Sequence, residues 1–164
     1  NFSRLDRSKV TSFNLNEGLE STLLLAKHLL KTVTVDKRFG EIPAITCSPS
    51  QVNQVFLNLI TNAAQAMPDG RGKIILTTRV EGEGVAVDVA DNGSGMSPEI
   101  LKKIFDPFFT TKEIGKGTGL GLSISYKIIQ QHGGHISVDS RVGAGTKFTV
   151  WLPLKASHEA ELEG

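Results

Sequence analysis

V-A-V-D-V-A-D-N-G-S-G-M, residues 85–96, is the stretch whose reading decides the fold. Val85, Val87 and Val89 alternate with Ala86, Asp88 and Ala90, the period of two that marks a strand, and Asn92-Gly93-Ser94-Gly95 ends it. The same period turns Asp91 to the side of the three valines, towards the core. An isolated carboxylate is costly to desolvate, so one placed there requires a partner. The competing reading, a turn-initiating Asp ahead of Asn-Gly, requires none. The choice between them depends on the rest of the chain.

Immediately upstream, Lys73 to Glu81 (K-I-I-L-T-T-R-V-E) reads as a second strand, joined to residues 84–91 through Glu81-Gly82-Glu83-Gly84 as an antiparallel hairpin. Before it, Ser48-Pro49-Ser50 supplies a cap with Pro at the first helical position, and a helix runs from about Pro49 to Met67. At roughly 100° per residue, Val52, Val55, Phe56, Leu59, Ala63 and Ala66 form one stripe that faces a sheet. Asn62 falls on its edge, and Asn58, one turn earlier, just beyond it. Asn is a poor helix-interior residue, so a pair at i and i+4 calls for a reason. Either the two are solvated or cap a neighbouring loop, or their amide oxygens face a cation or ligand, oxygen being what Mg²⁺ prefers.

Downstream, Ser97-Pro98-Glu99 opens a short helix to about Ile104. Phe105-Asp106-Pro107-Phe108-Phe109 makes a compact anchor, and residues 110–116 suit a lid that moves about it. Gly115, Gly117, Gly119 and Gly121 then lead into a helix from Leu120 to about His132, leaving backbone N–H groups exposed at a helix N-terminus, which favours an anion. Neither usual phosphate motif is present: both Gly-Lys pairs continue with Gly or Ile, and no strand leads into the glycines. His135 to Asp139 and Thr146 to Leu154 read as strands around residues 141–145, with the Thr146 hydroxyl turned inward beside Phe148, Val150 and Leu152.

At the start of the chain, residues 1–12 read as a linker, and Asn14 or Asn16 caps a helix to about Lys31 along Leu15, Leu19, Leu23, Ala26 and Leu30. Strands follow at Thr32 to Phe39 and Ala44 to Cys47, and residues 155–164 read as a polar tail. The domain proper is thus expected at 13–154. A length of 164 residues suits one domain with a sizeable core. With 18 basic and 17 acidic side chains the net charge of +1 argues against a nucleic-acid binder that works by bulk electrostatics. The single Cys47 excludes an internal disulfide and fits a reducing cytoplasm. No apolar run reaches the length of a bilayer span, and the opening residues carry no signal-peptide pattern, so a soluble piece of a larger protein is expected.

Five motifs now stand in one order: N-L-I-T-N-A-A-Q-A-M (58–67), D-N-G-S-G-M (91–96), F-D-P-F-F-T-T-K (105–112), G-K-G-T-G-L-G-L-S (115–123) and G-A-G-T-K-F (143–148). Together they resemble the N box, first glycine box, F box, second glycine box and terminal glycine-Thr motif of the ATP-binding catalytic domain of sensor histidine kinases, in the GHKL superfamily. The resemblance covers about residues 14–154. It implies an α+β fold, a two-layer sandwich of a mixed, mainly antiparallel sheet with helices on one face. It also implies ATP and Mg²⁺ as ligands. Asn62 is the expected metal residue, and Asp91 the acceptor for the adenine amino group, with Thr146 in the same network. Gly93 and Gly95 would let backbone approach the base, with Met96 packed on it. Gly117, Thr118, Gly119, Leu120 and Gly121 would line the phosphates, with Lys112 or Lys116 as a point charge near the γ-phosphoryl group. Asn58 and Lys112 are the candidate catalytic residues, and Asn58 also borders the nucleotide.

Position 58 separates the subclasses. Hydrolysing members of the superfamily carry a Glu general base there, whereas an amide has no useful basicity. The resemblance therefore implies a kinase that binds ATP and hydrolyses it poorly. Gln65 stands where many histidine kinases carry Lys or Arg. His28 lacks the context of a phospho-acceptor, and His132 reads as favouring a helix C-terminus. The acceptor is expected on a dimerisation and phosphotransfer domain of the same protein, with a response regulator downstream. The isolated domain is then a cytoplasmic monomer and the full-length protein a homodimer, with or without a membrane anchor. The alternatives are a serine kinase of the anti-sigma-factor type and a non-catalytic ATP-sensing module.

Overall fold

The computed structural model describes residues 9–67, 71–106 and 121–155. The hairpin forms as read, from β4 (Gly72–Glu81) and β5 (Gly84–Asp91), with Ile74 opposite Asp91 and Val80 opposite Val85. β7 (Gly145–Pro153) pairs antiparallel with the other side of β5, and β6 (His135–Arg141) with β7. β2 (Val33–Phe39) joins β4 in parallel, giving the order β2-β4-β5-β7-β6. The helices α1 (Leu15–Leu25), α2 (Pro49–Gln65) and α4 (Gly121–Gln131) accompany this sheet, with the short α3 (Pro98–Leu101) between β5 and α4. This is the expected α+β arrangement.

β5 is the middle strand, which explains why both of its faces are covered. Val85, Val87 and Val89 join Ile74, Leu76, Phe148, Val150 and Leu152 in the core shared with Val52, Val55, Phe56 and Leu59 of α2. Each such side chain contributes about 1.5–3 kcal/mol relative to an exposed one. On the opposite face, Ala86 is fully buried between its cross-strand neighbours Arg79 and Trp151. Asp88 accepts from Arg79 Nη1 at 2.8 Å and Thr149 Oγ1 at 2.7 Å. Trp151 lies over Gly84, where a Cβ would collide with its ring, and stacks on His135 at 5.2 Å. A period of two assigns faces; it does not say that small residues on an outer face will be roofed by longer neighbours.

Several boundaries shift. Thr11 and Ser12, read as linker, belong to β1 (Thr11–Phe13), which pairs antiparallel with β3 (Ile45–Cys47) in a separate small sheet. Asn14 caps α1, its Oδ1 accepting from the Asn16 N–H at 2.8 Å. The helix ends at Leu25 rather than near Lys31, and a 3₁₀ turn, Lys27–Leu30, tightens the chain into β2 with His28 exposed on it. Ser97 caps α3, which stops at Leu101 and continues as turns instead of reaching Ile104. Cys47 is fully buried and its thiol is pushed up to about 12 by desolvation, so it is inert.

Ser48 corrects another expectation. Pro49 starts α2 as read, yet the Ser48 hydroxyl makes no capping bond. Its backbone N–H instead donates to Nε2 of His132 at 3.1 Å, while Nδ1 of that ring faces the Ile128 carbonyl at 2.8 Å. Nε2 can accept only if the proton is on Nδ1, so His132 is neutral and ties α4 to the start of α2. It does meet the C-terminal turn of α4, as read, but as a neutral ring. Burial lowers its pKa, opposed by the bond to Ile128. The folded state therefore binds fewer protons than the unfolded one below about pH 6.5. Stability should hold above that pH and fall below it, by at most about 1.4 kcal/mol per pH unit. Denaturant titrations from pH 8 to 5 check this, and His132→Gln should flatten the response.

Candidate functional site

The loop after β5 is clamped between two elements. On one side it closes α2, since the Ser94 N–H donates to Ala66 O at 3.1 Å and a Cβ on Gly93 would lie 2.5 Å from that oxygen. On the other it meets the β6–β7 hairpin, where the Gly143 N–H donates to Ser94 O at 2.7 Å and the Met96 N–H to Ser140 Oγ at 2.8 Å. Gly95 has φ +73°, and a Cβ there would collide with the Arg141 carbonyl. Both glycines thus make room for the protein's own backbone, besides the approach to a base that the resemblance implies.

Asp91 closes β5 directly opposite Thr146 of β7. Its Oδ1 accepts from the Gly93 N–H at 2.8 Å. Desolvation raises its pKa, and the backbone N–H groups of Gly93 and Thr146 oppose that rise without cancelling it. Its polar partners among the described residues are backbone N–H groups rather than cations. Thr146 is buried, as expected, but its hydroxyl meets Ser140 Oγ at 2.7 Å. A strand read over His135 to Asp139 stops one residue short of Ser140. β6 runs to Arg141 with Ile136, Val138 and Ser140 on its more buried side, so two more residues of alternation reveal it.

The second half of the site lies one face of α2 away. Asn58 is half-buried and its Nδ2 donates to Gly121 O and Ser125 Oγ, each at 3.2 Å. That joins α2 to the first turn of α4 through the fully buried Ser125, another residue the sequence reading passed over. Asn62 is half-buried one turn further along. From Asn58 to Ala66, α2 spans about 12 Å, linking the α4 junction to the glycine loop. Phe105 packs on Tyr126 with ring centroids 5.3 Å apart, so the start of the Phe-rich segment is held to α4. Phe108, Phe109, Lys112, Lys116, Gly117, Thr118, Gly119 and Leu120 lie outside the described residues.

Asn62 offers a neutral amide oxygen, and among the described residues no group of three or more His, Cys, Asp or Glu could hold a metal. Such a donor suits a hard cation that keeps several waters and arrives with phosphates, as Mg²⁺ does. An anionic ligand near the α2–α4 junction would be needed to complete its shell.

A two-layer α+β fold with an inward carboxylate at the end of its middle strand, a glycine loop and an Asn-bearing helix beside it defines the class of the GHKL nucleotide-binding domains. Residues 47–156 match the family described as histidine kinase-, DNA gyrase B-, and HSP90-like ATPase, and the chain belongs to it. Within that family it is a histidine-kinase-type ATP-binding domain. It is 40% identical to sensor kinase CckA of Brucella abortus (strain 2308) over 93% of this chain and 18% of that one. It is also 44% identical to sporulation kinase E of Bacillus subtilis (strain 168), over 73% and 16%. The catalytic domain of histidine kinase ThkA superposes with a TM-score of 0.80 at 34% identity, covering 90% of this chain and 99% of that one. The chain spans less than a fifth of the length of either full-length kinase.

Proposed function

We propose that this domain binds Mg-ATP and donates the γ-phosphoryl group to a histidine on the dimerisation and phosphotransfer domain of the same protein. The observation that carries the reading is Asp91, a half-buried carboxylate whose polar partners among the described residues are backbone N–H groups. A further donor would satisfy it, and the amino group of adenine is one. α2 then runs from the base end to the phosphate end, with Asn62 holding Mg²⁺ and Asn58 and Gly121 near the phosphates. Lys112 or Lys116 would supply a point charge near the γ-phosphoryl group, and Gly117, Thr118, Gly119 and Leu120 backbone donors. Bound Mg²⁺ would supply charge neutralisation on the phosphates.

Asn58 already acts as a donor to Gly121 and Ser125, and an amide cannot take a proton from water. Transfer therefore depends on positioning an acceptor histidine, whose ring nitrogen forms the bond to phosphorus as the bridging oxygen leaves with ADP. A response regulator would receive the group next, the full-length protein acting as a homodimer and the isolated domain remaining monomeric. Nucleic acid has no part in this scheme. Among the described residues no helix is long and apolar enough to cross a membrane. The need for ATP would put the domain in the cytoplasm.

The test uses γ-labelled Mg-ATP, with the chain alone and with the proposed dimerisation and phosphotransfer domain, a helix hairpin, added. The expected outcome is negligible phosphate release by the chain alone and acid-labile, base-stable label on the hairpin. Rapid release by the chain alone would overturn the role given to Asn58.

A further inference from the structure

We infer that Ser140 sets the base selectivity of the nucleotide site by fixing which way the Thr146 hydroxyl points. Ser140 Oγ makes three contacts: the Met96 N–H at 2.8 Å, the Gly145 carbonyl at 3.0 Å and Thr146 Oγ1 at 2.7 Å. A serine hydroxyl has one proton and two lone pairs. The Met96 N–H can only donate, so it takes one lone pair. The Gly145 carbonyl can only accept, so it takes the proton. The contact with Thr146 is then a hydrogen bond only if the threonine donates and Ser140 accepts with its second lone pair. This is the one proton assignment that satisfies all three contacts.

The consequence reaches Asp91. Thr146 is its cross-strand neighbour, and Thr146 is only 7% exposed, so its hydroxyl has few alternatives to that bond. With its proton turned to Ser140, the hydroxyl offers only lone pairs to a ligand, as the Asp91 carboxylate does. Two acceptors side by side suit an exocyclic amino group, which has two N–H bonds. They repel a keto oxygen at the same place, leaving buried acceptors unpaired. Ser140 is a positioning residue here; it need not touch the nucleotide. Losing its hydroxyl would free Thr146 to rotate and donate to a keto oxygen. The inference rests on the ATP reading above.

The test compares binding of Mg-ATP and Mg-ITP, in which a keto group replaces the 6-amino group, to the full chain by calorimetry. Wild type should prefer ATP. Ser140→Ala should narrow the ATP/ITP ratio by about tenfold, Ser140→Thr should restore it, and Thr146→Val should narrow it without the need to disturb β6. Equal weakening of both nucleotides in Ser140→Ala, or an unchanged ratio in Thr146→Val, would show a merely structural role and overturn the inference. If Ser140→Ala fails to fold, Thr146→Val decides alone. Wild type that binds neither nucleotide would overturn the ATP reading and this inference with it, whereas wild type that binds both equally would overturn this inference only.

Discussion

Asp91→Asn is expected to weaken Mg-ATP binding by roughly 10- to 100-fold, the range for losing a hydrogen bond to a charged group, while leaving the ligand-free fold within about 1 kcal/mol of wild type. Two opposed effects keep the second number small. The substitution removes a desolvated charge, yet it weakens acceptance from the Gly93 and Thr146 N–H groups. Calorimetry and denaturant titration measure the two quantities separately. A residue serving only the turn would show the reverse, with stability lost and affinity kept.

The pH dependence sharpens the same experiment. Desolvation raises the Asp91 pKa in the folded state, so the folded chain holds a proton at pH values where the unfolded chain, near 3.9, has lost it. Unfolding free energy therefore declines as pH rises from there through the folded value. Asp91→Asn has no such proton, and the difference between wild type and variant should grow over that window and then level. His132 acts with the opposite sign nearer pH 6.5 and is common to both proteins, so it cancels in the difference.

Gly95→Ala should destabilise the fold by about 3 kcal/mol and lower nucleotide affinity with it. Alanine at φ +73° accounts for about 1–2 kcal/mol. The rest comes from a Cβ forced onto the Arg141 carbonyl, a backbone atom that cannot rotate away. The loop must move, carrying Met96 from Ser140 and so disturbing the network beside Asp91. Gly82→Ala is the control, since Gly82 has φ +60° with nothing within 4 Å of a Cβ, and should lose only about 1 kcal/mol. Thermal and chemical denaturation of the two variants isolates the collision; equal losses would show that conformation alone explains the glycine.

The sequence by itself determined what depends on local geometry. Alternation along 73–81, 85–91 and 146–154 gave three strands and turned Asp91 and Thr146 to the same side as the core valines. The helical period put Asn58 and Asn62 at the edge of the α2 stripe, and five motifs in order carried the family. Only the tertiary structure decided the partners, because partners come from segments far apart in the chain. Met96 and Ser140 are 44 residues apart, and Ser48 and His132 are 84 apart. No period in either segment announces the other. Thus Asp91 was legible as a residue in need of a donor, whereas the orientation of its neighbour Thr146 required β6 to lie beside β7 and bring Ser140 within 2.7 Å. Gly93 and Gly95 were legible as places without side chains, but the Ala66 and Arg141 carbonyls that demand it could be found only once α2 and the β6–β7 hairpin had closed on the loop.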